Sequence, residues 1–116
     1  MTEEETIFAK ILKGEIPCDK VYEDDAYFAF RDINPQAPTH ILVIPKKPIP
    51  KVSDAAEADK ELLGGLILTA NRIAEQEGLL EPGYRYVINC GEGAGQTVFH
   101  LHLHILGGRA MTWPPG

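Results

Sequence analysis

A chain of 116 residues with 44% hydrophobic and 24% charged content matches one globular domain, expected to span residues 1–116. Lys and Arg number 11 against 17 Asp and Glu, a net charge of −6, and no basic block exists beyond Lys46, Lys47 and Lys51, so a nucleic-acid polyanion is excluded as partner. No apolar run approaches the roughly 20 residues of a bilayer span, and the acidic start Met1–Glu5 has no basic or apolar leader character, so a cytoplasmic chain without membrane association is expected.

Ile7, Phe8, Ile11 and Leu12 recur at helical spacing, with Thr6 placed to cap the start and Gly14 to end the helix after about two turns. Lys20–Glu23 and Ala26–Arg31 then read as two short strands around an Asp24-Asp25 turn. His40–Pro45 is an apolar run typical of a buried strand, and Pro45, Pro48 and Pro50 keep the next segment irregular. A long helix is expected to begin between Ser53 and Asp59, carry an apolar stripe from Leu62 to Ala74, and stop at Gly78. Gly64-Gly65 inside it costs about 1 kcal/mol per glycine relative to alanine, which close packing against a sheet would explain. Tyr84–Asn89 and Val98–Leu106 complete a set of five strands, with a flexible glycine-rich turn at Gly91–Gly95 between them. Five strands and two separated helices indicate an α+β domain with an antiparallel sheet, whose strand order the sequence leaves open. Cys18 and Cys90 lack metal-binding spacing and are expected as free thiols.

The chemistry concentrates in Phe99-His100-Leu101-His102-Leu103-His104-Ile105. On a strand alternate side chains share a face, so the three imidazoles point one way and Leu101, Leu103 and Ile105 the other. Histidine titrates near pH 6.5, so such a row can hold a neutral nucleophile beside a protonated donor at physiological pH. A zinc site is the competing reading of histidines at i and i+2. The outer pair, however, spans roughly 13 Å at about 3.3 Å per residue, awkward for ligands about 2.0–2.1 Å from one ion. No metal and no cofactor are therefore expected. Gly91–Thr97 lacks the ending of a P-loop and precedes a strand rather than a helix; it is either a phosphate-holding loop or a plain turn.

The run from Gln96 to Leu106 resembles the signature of the histidine-triad (HIT) superfamily, His-φ-His-φ-His-φ-φ with φ apolar. Phe30–His40, Ile44–Lys47 and Gly107–Arg109 extend the resemblance over nearly the whole chain, and Trp113–Gly116 is similar to the tail of its nucleotide-binding (HINT) branch. The resemblance implies a five-stranded antiparallel sheet with two helices, extended to ten strands in a homodimer. It also implies purine nucleoside phosphoramidase activity on AMP joined to an amine such as lysine. Dinucleoside polyphosphate hydrolysis, or a nucleotide-sensing interaction module, is the alternative.

By the same resemblance His102 attacks phosphorus and forms a nucleotidyl-histidine, His104 assists the leaving group, and His100 with His40 forms a relay orienting His102. Asn89, Gln96, Thr97 and the Val98 backbone would hold phosphate oxygens, and Asp32 the ribose hydroxyls. Ile7, Phe8, Ile11, Phe30 and Ile33 would line the base pocket, with Arg31 at its rim where some relatives carry histidine. Trp113 would approach from the dimer partner.

Overall fold

Thr6 starts the first helix, α1 (Ile7–Leu12), by accepting a hydrogen bond from the Ala9 N–H at 3.0 Å, and Gly14, at φ +79°, ends it. This computed structural model describes residues 5–116; the acidic reading of residues 1–4 lies outside the described residues. Strands β1 (Lys20–Glu23) and β2 (Tyr27–Arg31) follow, joined by a turn in which the Asp24 carboxylate accepts from the Ala26 and Tyr27 N–H groups, both at 2.8 Å. Next come β3 (Thr39–Pro45), helix α2 (Lys60–Gln76), β4 (Tyr84–Val87) and β5 (Leu103–Gly107). All neighbours pair antiparallel, in the order β1-β2-β3-β5-β4. Among the described residues no helix is long and apolar enough to cross a membrane.

The elements lie where the sequence pattern puts them, with shifts at their ends. Helix α2 begins at Lys60, just past the expected window, because Val52–Asp54 and Glu57–Asp59 form separate single turns of 3-10 helix. Buried Asp59 holds this approach: its carboxylate accepts from the Ala56 N–H at 2.9 Å and from Lys47 Nζ at 2.6 Å. Those same contacts, the Ala56 N–H first, keep its carboxyl below the usual carboxylate range.

The largest correction concerns the last strand, expected over Val98–Leu106. Pairing with β3 starts at Thr39↔Gly107 and stops at Val43↔Leu103, while β4 reaches only Val87↔His104. Residues 98–102 therefore lack a strand on either side, and the Leu101 N–H instead donates to the Ile49 carbonyl at 2.7 Å. Of the three clustered histidines only His104 lies on β5. The Gly91–Gly95 segment is likewise no loose turn: Glu92–Ala94 form a turn of 3-10 helix, and the Gln96 N–H closes back on the Gly91 carbonyl at 3.1 Å.

The sheet separates two packed clusters. On one face Ala29, Ile41, Val43, Leu101, Leu103 and Ile105 meet Leu66, Ala70, Ile73 and Ala74 of α2. On the other Phe28, Phe30, Leu42 and Ile44 meet Phe8 and Ile11 of α1. The leucines alternating with the histidines thus belong to the main core, as the periodicity requires.

Close approach explains one glycine of the α2 pair. A Cβ on Gly65 would lie 2.1 Å from Tyr27 Oη, which is held by a 2.8 Å hydrogen bond to the Leu62 carbonyl, whereas nothing stands within 4 Å of one on Gly64. Gly65→Ala is expected to cost about 1–3 kcal/mol, and Gly64→Ala to stabilise by about 0.5–1 kcal/mol. Urea denaturation of the two variants checks the opposite signs.

Candidate active site

His40 stands on β3 and His104 on the adjacent β5, and the sheet register brings their rings together, with Nε2 of His40 2.9 Å from Nδ1 of His104. The protons on this pair follow from their other partners. The Gln36 main-chain N–H donates to Nδ1 of His40 at 3.0 Å, so that nitrogen is bare and the ring's proton sits on Nε2. His40 therefore donates to His104, whose own proton must sit on Nε2. That atom is buried and, among the described residues, is the one buried side-chain polar atom without a partner.

His102 is fixed in the opposite sense. Its Nδ1 lies 2.7 Å from the His100 carbonyl, an obligate acceptor, so Nδ1 carries the proton and Nε2 keeps its lone pair. His100 is anchored in turn by donating from Nε2 to the Pro45 carbonyl at 2.7 Å. The rings of His102 and His104 have centroids 5.0 Å apart. A bare nitrogen and a donor nitrogen are thus carried on neighbouring rings. This differs from the expected relay: His40 bonds to His104 rather than to His100, and His100 orients His102 through its carbonyl rather than its ring.

Burial pushes all four imidazoles below the ordinary histidine value. His104 is lowered to about 4, first by burial, then by the neighbouring His102 and His40, with Asp32 opposing. Of the two donor states open to such a row, a protonated ring and a neutral one, His104 takes the neutral one and donates through its tautomer.

Beside the histidines lies a cleft of about 610 Å³. Ile7, Phe8 and Ile11 of α1 form one wall, Phe30, Asp32 and Ile33 another, and Thr97 and Val98 close it. All eight belong to the expected set. Phe8 joins the cleft to the histidines, because its ring packs edge-on against Phe30 at 5.4 Å and against His102 at 5.0 Å. Arg31 is at the rim as expected, held by Glu77 of the α2 C-cap through Nη1 at 3.1 Å and Nη2 at 3.0 Å. Sequence reasoning missed Ile16, Pro17, Cys18, Asp19 and Leu42, which also line it. Leu42 could have been found from its alternation with Ile41 and Val43, but the connection 16–19 carries no such signal. Both cysteines are free and exposed.

The four histidines adjoin the cleft without lining it, and three of the residues expected to hold substrate also lie outside the lining. The Gln96 amide is committed to the main chain: Oε1 accepts from Gly91 at 2.8 Å, and Nε2 donates to Pro50 at 2.8 Å and to Val98 at 3.0 Å. It shapes the loop and has no amide hydrogen left for a phosphate. Asn89 is half-buried just before that loop, and Trp113 is 82% exposed. Among the described residues, Asp32, His40 and His104 each offer a ligand atom, all within 4.8 Å of one another, and are the group that could hold a metal. This trio differs from the i, i+2 pair weighed from the sequence.

A model of the HIT domain matches residues 13–111. The chain belongs to the HIT family. It is 61% identical to an uncharacterised HIT-like protein of Synechococcus elongatus over 97% of this chain and 98% of that one. It is also 55% identical to the purine nucleoside phosphoramidase of Escherichia coli K12, over 93% of this chain and 91% of the relative. The structure of a HIT family hydrolase from Legionella pneumophila superposes with a TM-score of 0.94 at 54% identity, covering 97% of this chain and all of the other. The relatives thus carry the HIT fold and include named hydrolases.

The depressed histidines have a consequence for stability. In the unfolded chain they take up protons as pH falls through about 6.5, whereas the folded rings resist until lower pH, near 4 for His104. The unfolded state binds more protons in that window, so stability present above pH 6.5 is lost on acidification towards pH 4. A fall in Tm on the order of 5 °C between pH 7 and pH 5 is expected. The slope should flatten in His104→Asn, as calorimetry across that range would show.

Proposed function

We propose that this HIT protein is a purine nucleoside phosphoramidase that cleaves the P–N bond of adenosine phosphoramidates, including AMP joined to a lysine side chain. The reading is carried by one observation: His102 presents a bare Nε2 next to the unpartnered Nε2–H of His104. A lone pair attacks phosphorus, and a donor stabilises the charge that develops on phosphoryl oxygen; phosphoryl transfer needs both. The 55% identity to the Escherichia coli phosphoramidase supports the same substrate class.

In this mechanism the base and ribose occupy the apolar cleft, with Asp32 accepting from ribose hydroxyls and the phosphate near Thr97 and Val98. Nε2 of His102 bonds to phosphorus, the P–N bond to the amine breaks, and the amine leaves after taking a proton from solvent. Water then hydrolyses the nucleotidyl-histidine, releasing the nucleoside monophosphate and restoring the ring. His104 donates a hydrogen bond through both steps, and His40 holds it in the donating tautomer. The chemistry asks for no metal, since fixed donors supply the electrostatic stabilisation.

A homodimer belongs to the same proposal. β4 is an outer strand of the sheet, and α2 exposes Ile67 and Leu68, at 45% and 59%. A second copy pairing at this edge would cover both and give exposed Trp113 a partner surface.

His102→Ala is expected to lower turnover of an adenosine phosphoramidate by more than about 10⁴-fold while the protein still melts cooperatively. His104→Ala should cost about 10²–10³-fold, the size of one lost oxyanion donor. Near wild-type release of amine by His102→Ala would overturn the assignment, and faster turnover of a diadenosine polyphosphate than of the phosphoramidate would redirect the substrate class. Because the folded His102 resists protonation, the acid limb of kcat/KM should fall below the ordinary histidine value of about 6.5.

A further inference from the structure

The donor state of His104 depends on a residue outside the cleft. His104 donates from Nε2 only because its Nδ1 accepts from His40, and His40 donates only because its Nδ1 accepts from the Gln36 N–H. Gln36 sits in the connection between β2 and β3, which has no regular structure to hold it. Internal ties close its ends: the Asp32 N–H donates to the His40 carbonyl at 2.9 Å, and the Asp32 carboxylate accepts from the Asn34 N–H at 2.8 Å. Gln36 itself donates from its side-chain amide to the Asn34 carbonyl at 3.0 Å, and the middle is also gripped from outside, by the segment that follows β5.

Two contacts make that grip. Gly108, at φ +88°, lies so near Pro38 that an added Cβ would stand 2.8 Å from the proline Cβ. Beyond it, Arg109 donates from Nε to the Gln36 carbonyl at 3.1 Å and from Nη1 to the Ala110 carbonyl at 3.1 Å. Arg109 is exposed, yet its guanidinium fixes the residue whose N–H decides the His40 proton.

We propose that Arg109 is a positioning residue that, by holding Gln36 in place, sets the tautomer of His40 and through it the donor state of His104. The alternative arrangement inverts the chain. With Gln36 displaced, His40 is free to carry its proton on Nδ1, leaving a bare Nε2 towards His104. His104 must then donate from Nδ1, and its Nε2 becomes a lone pair facing a phosphate oxygen, repelling the charge it should stabilise. The carboxylate of Asp32, 3.5 Å from Nε2 of His40, favours the working tautomer, so the loss of Arg109 should mix the two states rather than exchange one for the other.

The catalytic part of this inference rests on the phosphoramidase reading; the tautomer part does not. The test is ¹⁵N NMR of the full chain labelled at histidine, without nucleotide, in which each ring nitrogen reports whether it carries a proton. The unaltered protein should show protonated Nε2 on His40 and His104 and protonated Nδ1 on His102. Arg109→Ala and Arg109→Lys should show mixed tautomers at His40 and His104, with His100 and His102 unchanged. Gln36→Pro, which removes the N–H without touching Arg109, should reproduce the mixture.

For adenosine phosphoramidate, kcat should fall about 5- to 10-fold in Arg109→Ala, the scale of one weakened hydrogen bond to the site, with KM constant. Unchanged ring nitrogens at His40 and His104 in Arg109→Ala would overturn the proposal. So would a rise in KM alone, the mark of a direct hold on phosphate. A wild-type protein that shows these tautomers yet cleaves no phosphoramidate would instead remove the proposed activity and leave the tautomer control standing.

Discussion

Main-chain groups decide the chemistry of the histidine face. The Gln36 N–H, the His100 carbonyl and the Pro45 carbonyl each take one ring nitrogen, and each can act in only one direction. An amide N–H cannot accept and a carbonyl cannot donate, so the protons of His40, His100 and His102 are placed directly, and His40 passes its setting on to His104. A side-chain partner could ionise; a peptide group cannot. The same groups explain why the rings tolerate burial uncharged, since a neutral imidazole with one satisfied nitrogen loses little on leaving water.

That arrangement depends on the two faces of the sheet doing different work. Leu101, Leu103 and Ile105 are almost wholly buried against α2, which fixes the chain that also carries His100, His102 and His104. Phe8 closes the opposite side, where it is both core and wall of the cleft. The histidine rings are therefore positioned by packing on one side and shielded by an aromatic ring on the other, with the cleft entering between α1 and the end of β2.

Much of this was legible in the sequence because it is local. Thr6, Gly14 and the spacing of Phe8 and Ile11 describe α1, and the alternation of leucine and histidine places core and chemistry on opposite sides of one segment. What the sequence hid is tertiary. Periodicity marks 98–102 as extended but cannot say that β3 and β4 both end before reaching it. Whether His40 meets His104 or His100 depends on the register Thr39↔Gly107, and register leaves no trace in either segment alone. The Gln96 amide reads equally well as a phosphate donor or a loop brace until Gly91, Pro50 and Val98 are seen to use it up. Charge state was hidden for the same reason: a histidine's proton affinity follows its burial, which three letters in a row do not reveal.

The rim pair of Arg31 and Glu77 bears on how an anion would arrive. Among the described residues Arg31 is the one cation in the cleft lining, it is matched by Glu77, and Asp19 lies 3.8 Å from its Nε. With the imidazoles uncharged and the whole chain at −6, no positive field reaches out to draw a nucleotide in. Capture must instead come from short-range apolar contact and directed dipoles inside the cleft, which ionic strength screens very little. An enzyme built this way would not lose its rate of substrate capture as salt rises, since salt screens only the repulsion between a net-negative chain and an anion, where one relying on long-range attraction would slow.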